Sequence, residues 1–348
     1  MKDKKKIIFN VIFLFLCFGL TLFYVFRGED FGDVFRFIRH AKSAGWLLGV
    51  GLVIAFILGE SIIIYYLMRN LKQKPKLGHC CLYSFVGFFF SLVTPTASGG
   101  QPMQLVFMGK DKLPVHISTM VLLLITITYK TVLVIIGAIV LTFRPHRILH
   151  MLKPAIFWIK LGMVLNVLCV GFMLALVFCP FFMKKLVMKA LDLASAILKS
   201  DRWQGLKVKA GNYMDEYKEA SVYMKSHKRI TLNVLFITFV QRCLLFAVTY
   251  LVLISFSVRH ISLVETVILQ GSISLAVDML PLPGGMGVSE HLFEKIFLPV
   301  CGPAVITPAM IVSRGLSFYA QLFISAVMTV AAYFVIFGKG KKTNDRIL

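Results

Sequence analysis

Apolar runs long enough to cross a lipid bilayer decide what this chain can be. Five of them, Ile7–Phe26, Trp46–Met68, His116–Phe143, Ile156–Cys179 and Leu232–Phe256, supply the roughly 20 residues that a spanning helix needs, and Val305–Phe337 is long enough to span with a tilt. Apolar residues make up 58% of the 348, a share that a chain with an aqueous surface does not reach, so the solvent is lipid. The first run follows Met-Lys-Asp-Lys-Lys-Lys and imitates a signal peptide. It is too long for one, and Phe26-Arg27-Gly28-Glu29 offers no small-residue cleavage site, so an uncleaved anchor is expected.

A net charge of +22 in such a chain records topology, because cytoplasmic loops concentrate Lys and Arg. Residues 184–229 carry eleven Lys/Arg against five Asp/Glu, and 69–76 carry four with no acid, which places both in the cytoplasm. The mixed segment 27–42 reads as an outside loop. This scheme puts both termini inside and divides the chain into a membrane half (1–180), a basic connector (181–230) and a second membrane half (231–348). The connector reads either as an amphipathic interfacial helix or as a solvated linker. An inner membrane is the expected host.

Two apolar stretches do not fit the spanning pattern. Cys80–Val93 is too short to cross and ends in Thr94-Pro95-Thr96-Ala97-Ser98-Gly99-Gly100-Gln101-Pro102. Ser262–Leu280 stops at Pro281-Leu282-Pro283-Gly284-Gly285-Met286-Gly287, after which Ser289–Val300 is again short. Pro and Gly break a helix at both places. The chain is therefore expected to fold as an all-α polytopic membrane protein with about six full transmembrane helices and two re-entrant broken-helix hairpins. The hairpins enter from opposite faces, a pattern compatible with an inverted repeat and a midplane site between broken helices.

Broken backbone at membrane depth is tolerated only where it is buried in protein or lines a wet cavity, so both Gly-Gly turns predict a chamber. Helices restarting near Gln101–Gln104 and Gly287–Glu290 would turn free N–H groups toward it, an arrangement suited to phosphate. The alternative is that Gly99, Gly100, Gly284, Gly285 and Gly287 merely let helices pack closely. Ionisable residues within spans are costly and so are functional candidates. Lys130 sits mid-span, Glu60 lies inside the second span, Arg314 falls in the last helix, and Asp278 and Glu290 flank the second turn. Arg242 reads as nearer the cytoplasmic end of its helix. Lys130, Arg242 and Arg314, with Gln101, Gln104 and the glycines, are candidates to hold an anionic lipid headgroup. Alternatively the charges neutralise one another, Lys130 with Glu60 and Arg314 with Asp278 or Glu290. Gly45-x-x-x-Gly49 is a helix-packing motif of low specificity. No nucleotide-binding, zinc-protease or nucleophile-elbow motif occurs, and no cofactor or metal is implied.

The two broken elements resemble the signatures of the lysylphosphatidylglycerol synthase transmembrane-region family, the flippase part of the bacterial multiple peptide resistance factor. The string Pro281-x-Pro283-Gly284-Gly285-x-Gly287-x-x-Glu290, with Arg314 beyond it, carries most of the likeness. The resemblance implies a membrane region that moves aminoacylated phosphatidylglycerol to the outer leaflet. It associates transfer of lysine from lysyl-tRNA with a soluble domain that is not present in the sequence up to Leu348. The reading that follows is a lipid translocase for a phospholipid, such as aminoacylated phosphatidylglycerol, or for a polyprenyl-phosphate-linked lipid. Membrane phospholipids are its partners, and nucleic acid is not expected. The rivals are a lysyl-tRNA-dependent lysyltransferase, alone or as the membrane half of a split system with a soluble transferase partner, and a non-transporting scaffold. A homo-oligomer is compatible with all three.

Overall fold

The computed structural model describes residues 43–94, 97–143, 145–179 and 217–338, with a few positions between 181 and 211. The first apolar run, Cys17 and the basic tail lie outside the described residues, as does most of the connector. Among the described residues the chain is helical without a strand.

Each apolar run within the described residues becomes a helix close to its sequence bounds. α1 is Ser43–Asn70, α4 Val115–Phe143, α6 Ile156–Phe178 and α7 Lys228–Ser255. A short helix, α5 (His146–Leu152), and a 3-10 turn at Lys153–Ala155 lead into α6. The last run is interrupted. α10 (Pro303–Arg314) passes through a π turn at Gly315–Ala320 into α11 (Gln321–Gly338), and together they are long and apolar enough to cross a membrane.

The two short elements fold as expected. α2 (Leu77–Val93) and α3 (Gly100–Lys110) form one hairpin, and α8 (Leu263–Val277) and α9 (Val288–Cys301) the other. At about 1.5 Å per residue none of the four reaches the roughly 30 Å of a hydrocarbon core. Side-chain pairings fix the directions. Asn233 bonds Tyr66 and Gln241 bonds the Phe56 carbonyl, so α7 runs antiparallel to α1. Thr238 bonds Thr128, and Arg242 stacks on Tyr129, so α7 runs parallel to α4. Gly137 faces Leu275 while Lys130 reaches Asp278, so α8 descends against α4 from the opposite end.

The hairpins therefore enter from opposite ends of the bundle and stop at mid-depth. Their tips meet there: Phe89, Phe90 and Val93 at the end of α2 pack with Met286, Phe318 and Tyr319. At one end of the molecule lie the bases of α2 and α3, and Phe337 packs on Phe107 there. At the other end Arg147 pairs with Glu265 at 3.2 Å. In the described part of the connector, 217–226 is helical and docks by one face. Tyr217, Ala220, Ser221 and Met224 turn inward, and the Tyr217 hydroxyl donates to the Leu176 carbonyl.

Candidate functional site

The second hairpin begins with a capping box. The Ser262 hydroxyl accepts from the Glu265 amide, and the Glu265 carboxylate accepts from the Ser262 amide. This fixes where α8 starts, and fifteen residues later the helix ends beside the middle of α4. Asp278, the next residue, meets Lys130 there at 2.5 Å. The Tyr129 hydroxyl donates to the other oxygen of Asp278 at 2.6 Å, and Lys130 also reaches Met279 Sδ at 3.1 Å and Asn166 Oδ1 at 3.5 Å. Both members of the ion pair are at most 10% exposed. A buried ammonium needs such a set of acceptors, because desolvation is costly unless charge and hydrogen bonds are both matched.

Beyond Asp278 the backbone turns through Gly284, Gly285 and Gly287, with φ of +58°, +67° and +81°. These are left-handed conformations that glycine adopts without steric cost. The turn is held by Arg314 from α10, which bonds Glu290 at 2.6 Å and the Gly284 carbonyl at 3.1 Å. Its guanidinium also lies over the Phe318 ring. Ser289 donates to the second oxygen of Glu290. Glu290 sits in the first turn of α9, so the positive end of that helix already has an internal carboxylate.

The first hairpin has no internal charge at its tip. Gly99 has φ −81°, and its amide donates to the Thr94 hydroxyl at 2.9 Å. Gln101 donates to Thr126 and to the Leu122 carbonyl on α4. Gln104 donates to the Tyr83 carbonyl at 3.2 Å, and to Glu60 of α1 at 2.7 Å. At the base, Asp111 accepts from Tyr83 and pairs with His79 at 2.5 Å.

Between the hairpins stands Arg242, at the midpoint of the 28-residue α7. Its guanidinium lies 3.5 Å above the centre of the Tyr129 ring and 5.0 Å from that of Phe56. Its Nε is buried and has no hydrogen-bond partner. Gly59 brings α7 close to α1, since a Cβ there would lie 2.8 Å from Gln241. This sets Arg242 beside the stretch of α1 that carries Phe56 and Glu60, and over Tyr129, whose hydroxyl bonds Asp278.

The structure thus gathers Glu60, Gln104, Lys130, Arg242 and Asp278 into one mid-depth belt, with Arg314, Glu290 and Gly284 at the second tip. Two expectations are corrected, on Lys130 and Arg242, and one open choice, on Arg314, is decided. Lys130 pairs with Asp278 rather than Glu60, because α8 ends against α4 while Glu60 faces Arg242 and α3. Of the two partners considered for Arg314 it takes Glu290, one helix turn beyond the glycines. Arg242 lies at mid-depth and not toward the cytoplasmic end, because α7 begins at Lys228, earlier than its apolar run. Gly49 packs against Leu316, which gives that half of the Gly-x-x-x-Gly motif a packing partner.

Sequence reasoning passed over Tyr129, Asn166 and the His79–Tyr83–Asp111 group. Asn166 was open to detection, as a lone amide within the apolar run of α6. The group at the hairpin base joins residues about thirty positions apart, so no local signal points to it.

Helices of spanning length, two hairpins that break at mid-depth and a belt of charge define a polytopic membrane protein with a polar site inside its helix bundle. The family model for the lysylphosphatidylglycerol synthase TM region matches residues 7–325, and the chain belongs to that family. A search of curated proteins finds no match to it.

Proposed function

We propose that this protein is a lipid translocase whose substrate enters headgroup-first between the two hairpin tips. The observation that carries the reading is Arg242. Of the three basic side chains in the belt and at the second tip, Lys130 and Arg314 are each closed by a carboxylate in direct contact, while the Arg242 guanidinium lies against the Tyr129 and Phe56 rings and its Nε has no hydrogen-bond partner. A cation held at mid-depth without a hydrogen-bonded partner has its donors free for a phosphate, which guanidinium binds in two-pronged fashion. Intramembrane charge of this kind marks substrate paths. The tips beside it are accessible, with Ala97, Ser98, Leu282 and Gly287 exposed in the protein without lipid.

The substrate class is a phospholipid, with aminoacylated phosphatidylglycerol suggested by the family, or a polyprenyl-phosphate-linked lipid. The end of the bundle bearing Arg69, Lys72, Lys74, Lys76, Lys110 and Lys112 would face the cytoplasm of a bacterial inner membrane, by the charge rule. The test is reconstitution into liposomes with headgroup-labelled phosphatidylglycerol, aminoacylated phosphatidylglycerol and a polyprenyl phosphate. At least one label should cross faster than in empty vesicles. Arg242→Gln should slow it about tenfold or more, the worth of one charged hydrogen-bonding partner. Flip rates equal to those of empty vesicles for all three labels would sink the proposal.

A further inference from the structure

The three acids of the belt and the second tip differ in one respect. Asp278 and Glu290 each touch a basic nitrogen, at 2.5 and 2.6 Å, whereas the hydrogen bond to Glu60 comes from a neutral amide, that of Gln104. The nearest cation by packing is Arg242, which follows the Gln241 that sits on Gly59 and lies over Phe56, one turn before Glu60, and its Nε has no hydrogen-bond partner. A carboxylate buried in hydrocarbon stays ionised only while a cation compensates it.

Resting on the translocase reading, we propose that Glu60 is a proton-binding site coupled to phosphate binding at Arg242. A lipid phosphate that docks on Arg242 takes over the charge that keeps Glu60 ionised, and places a second anion near it. Both effects favour the acid form, so the carboxylate takes one proton from the water on the side of entry. When the phosphate leaves, Arg242 faces the carboxylate again and the proton is released. Linkage makes this reciprocal: phosphate binding promotes protonation, and protonation promotes phosphate binding by the same factor. One phosphodiester and one proton together carry no net charge through the belt.

The groups around Glu60 are compatible with this. Gln104 of α3 donates to Glu60, Arg242 comes from α7 and lies over Tyr129 of α4, and Lys130 of α4 and Asp278 at the end of α8 stand next to Tyr129. Lys130 is closed by Asp278, and the Tyr83 hydroxyl is turned to Asp111, so neither can replace Arg242 beside Glu60. Gln104 links the site to the hairpin that must move. It is 4% exposed and wedged against Gly87, so any change at Glu60 is felt by α3.

The experiment uses the full chain in detergent, titrated with short-chain phosphatidylglycerol in weak buffer from about pH 5 to about pH 9, spanning carboxylate and phosphate-independent ranges. Affinity and proton uptake are read together. The wild-type protein should take up as much as one proton per lipid bound and lose affinity as pH rises, by at most about tenfold per pH unit. Glu60→Gln keeps an amide to meet Gln104, and should bind with no proton uptake and with pH-independent affinity. Arg242→Gln should lose binding at every pH, with a melting temperature that shows whether it is folded. Wild-type binding without proton uptake, or uptake undiminished in Glu60→Gln, overturns the coupling and leaves the translocase reading standing. No binding of phosphatidylglycerol by the wild type removes the phosphate site, and the coupling with it.

Discussion

The two hairpins carry the same signal in sequence, a Gly-Gly pair among prolines, yet they need glycine for different reasons. In the second, three glycines take left-handed backbone angles, and the turn is held from outside by Arg314 and Lys130. In the first, Gly99 keeps an ordinary negative φ, and Gly87 and Gly100 serve close approach. A Cβ on Gly100 would press on Ser91 and lie 2.6 Å from the Gly87 carbonyl. The first hairpin is thus zipped along its length by its own contacts, from Gly100 at the tip to Asp111 at the base. The second is a glycine turn clamped by charges from α4 and α10.

Substitutions that separate these causes test the contrast, and unfolding measured by denaturant or heat in one detergent ranks them. The largest loss is expected for Lys130→Met, about 3–5 kcal/mol, because it strands Asp278 as a buried uncompensated charge. Removing both partners, as Lys130→Met with Asp278→Leu, should recover most of that loss. Failure to recover would mean that the pair does not clamp the second hairpin. Next comes Gly100→Ala at about 1–3 kcal/mol, since the added methyl meets both the Ser91 hydroxyl and the Gly87 carbonyl, and the second is backbone and cannot swing aside. Gly287→Ala meets open space and suffers only the left-handed φ, about 1–2 kcal/mol. Restoring volume elsewhere should help the Gly100 variant, for example by Ser91→Gly, and should not help the Gly287 variant. An equal response in both would erase the distinction drawn above. The smallest effect is expected at the hairpin base, where Asp111→Asn loses a partly exposed ion pair worth at most about 1 kcal/mol.

How much of this was legible in the sequence varies by element. The spanning helices were, because nearly 20 consecutive apolar residues leave a chain in lipid no choice but to satisfy its amides internally. So were the two interruptions, since proline removes a donor and glycine relaxes the backbone wherever they stand. The candidate charges were legible as a set: Glu60, Lys130, Arg242, Asp278, Glu290 and Arg314 stand out because lipid makes them costly. Their pairing was not. Lys130 and Asp278 are 148 residues apart, and whether Glu60 or Asp278 lies opposite Lys130 depends on which helix packs on which face of α4. Nor could the sequence tell a glycine needed for its φ from one needed for its small volume, since the same letters serve both.

By itself, then, the sequence determined that this is a helical membrane protein, interrupted twice, with six ionisable side chains at depth, because hydrophobicity and backbone chemistry act locally and every residue reveals its own share. The tertiary structure alone decided that two of the three cations are closed by carboxylates while Arg242 is left facing aromatic rings beside Glu60. Charge compensation is a property of positions in space, set by where helices that are distant in sequence come to rest against one another, and no local pattern records it.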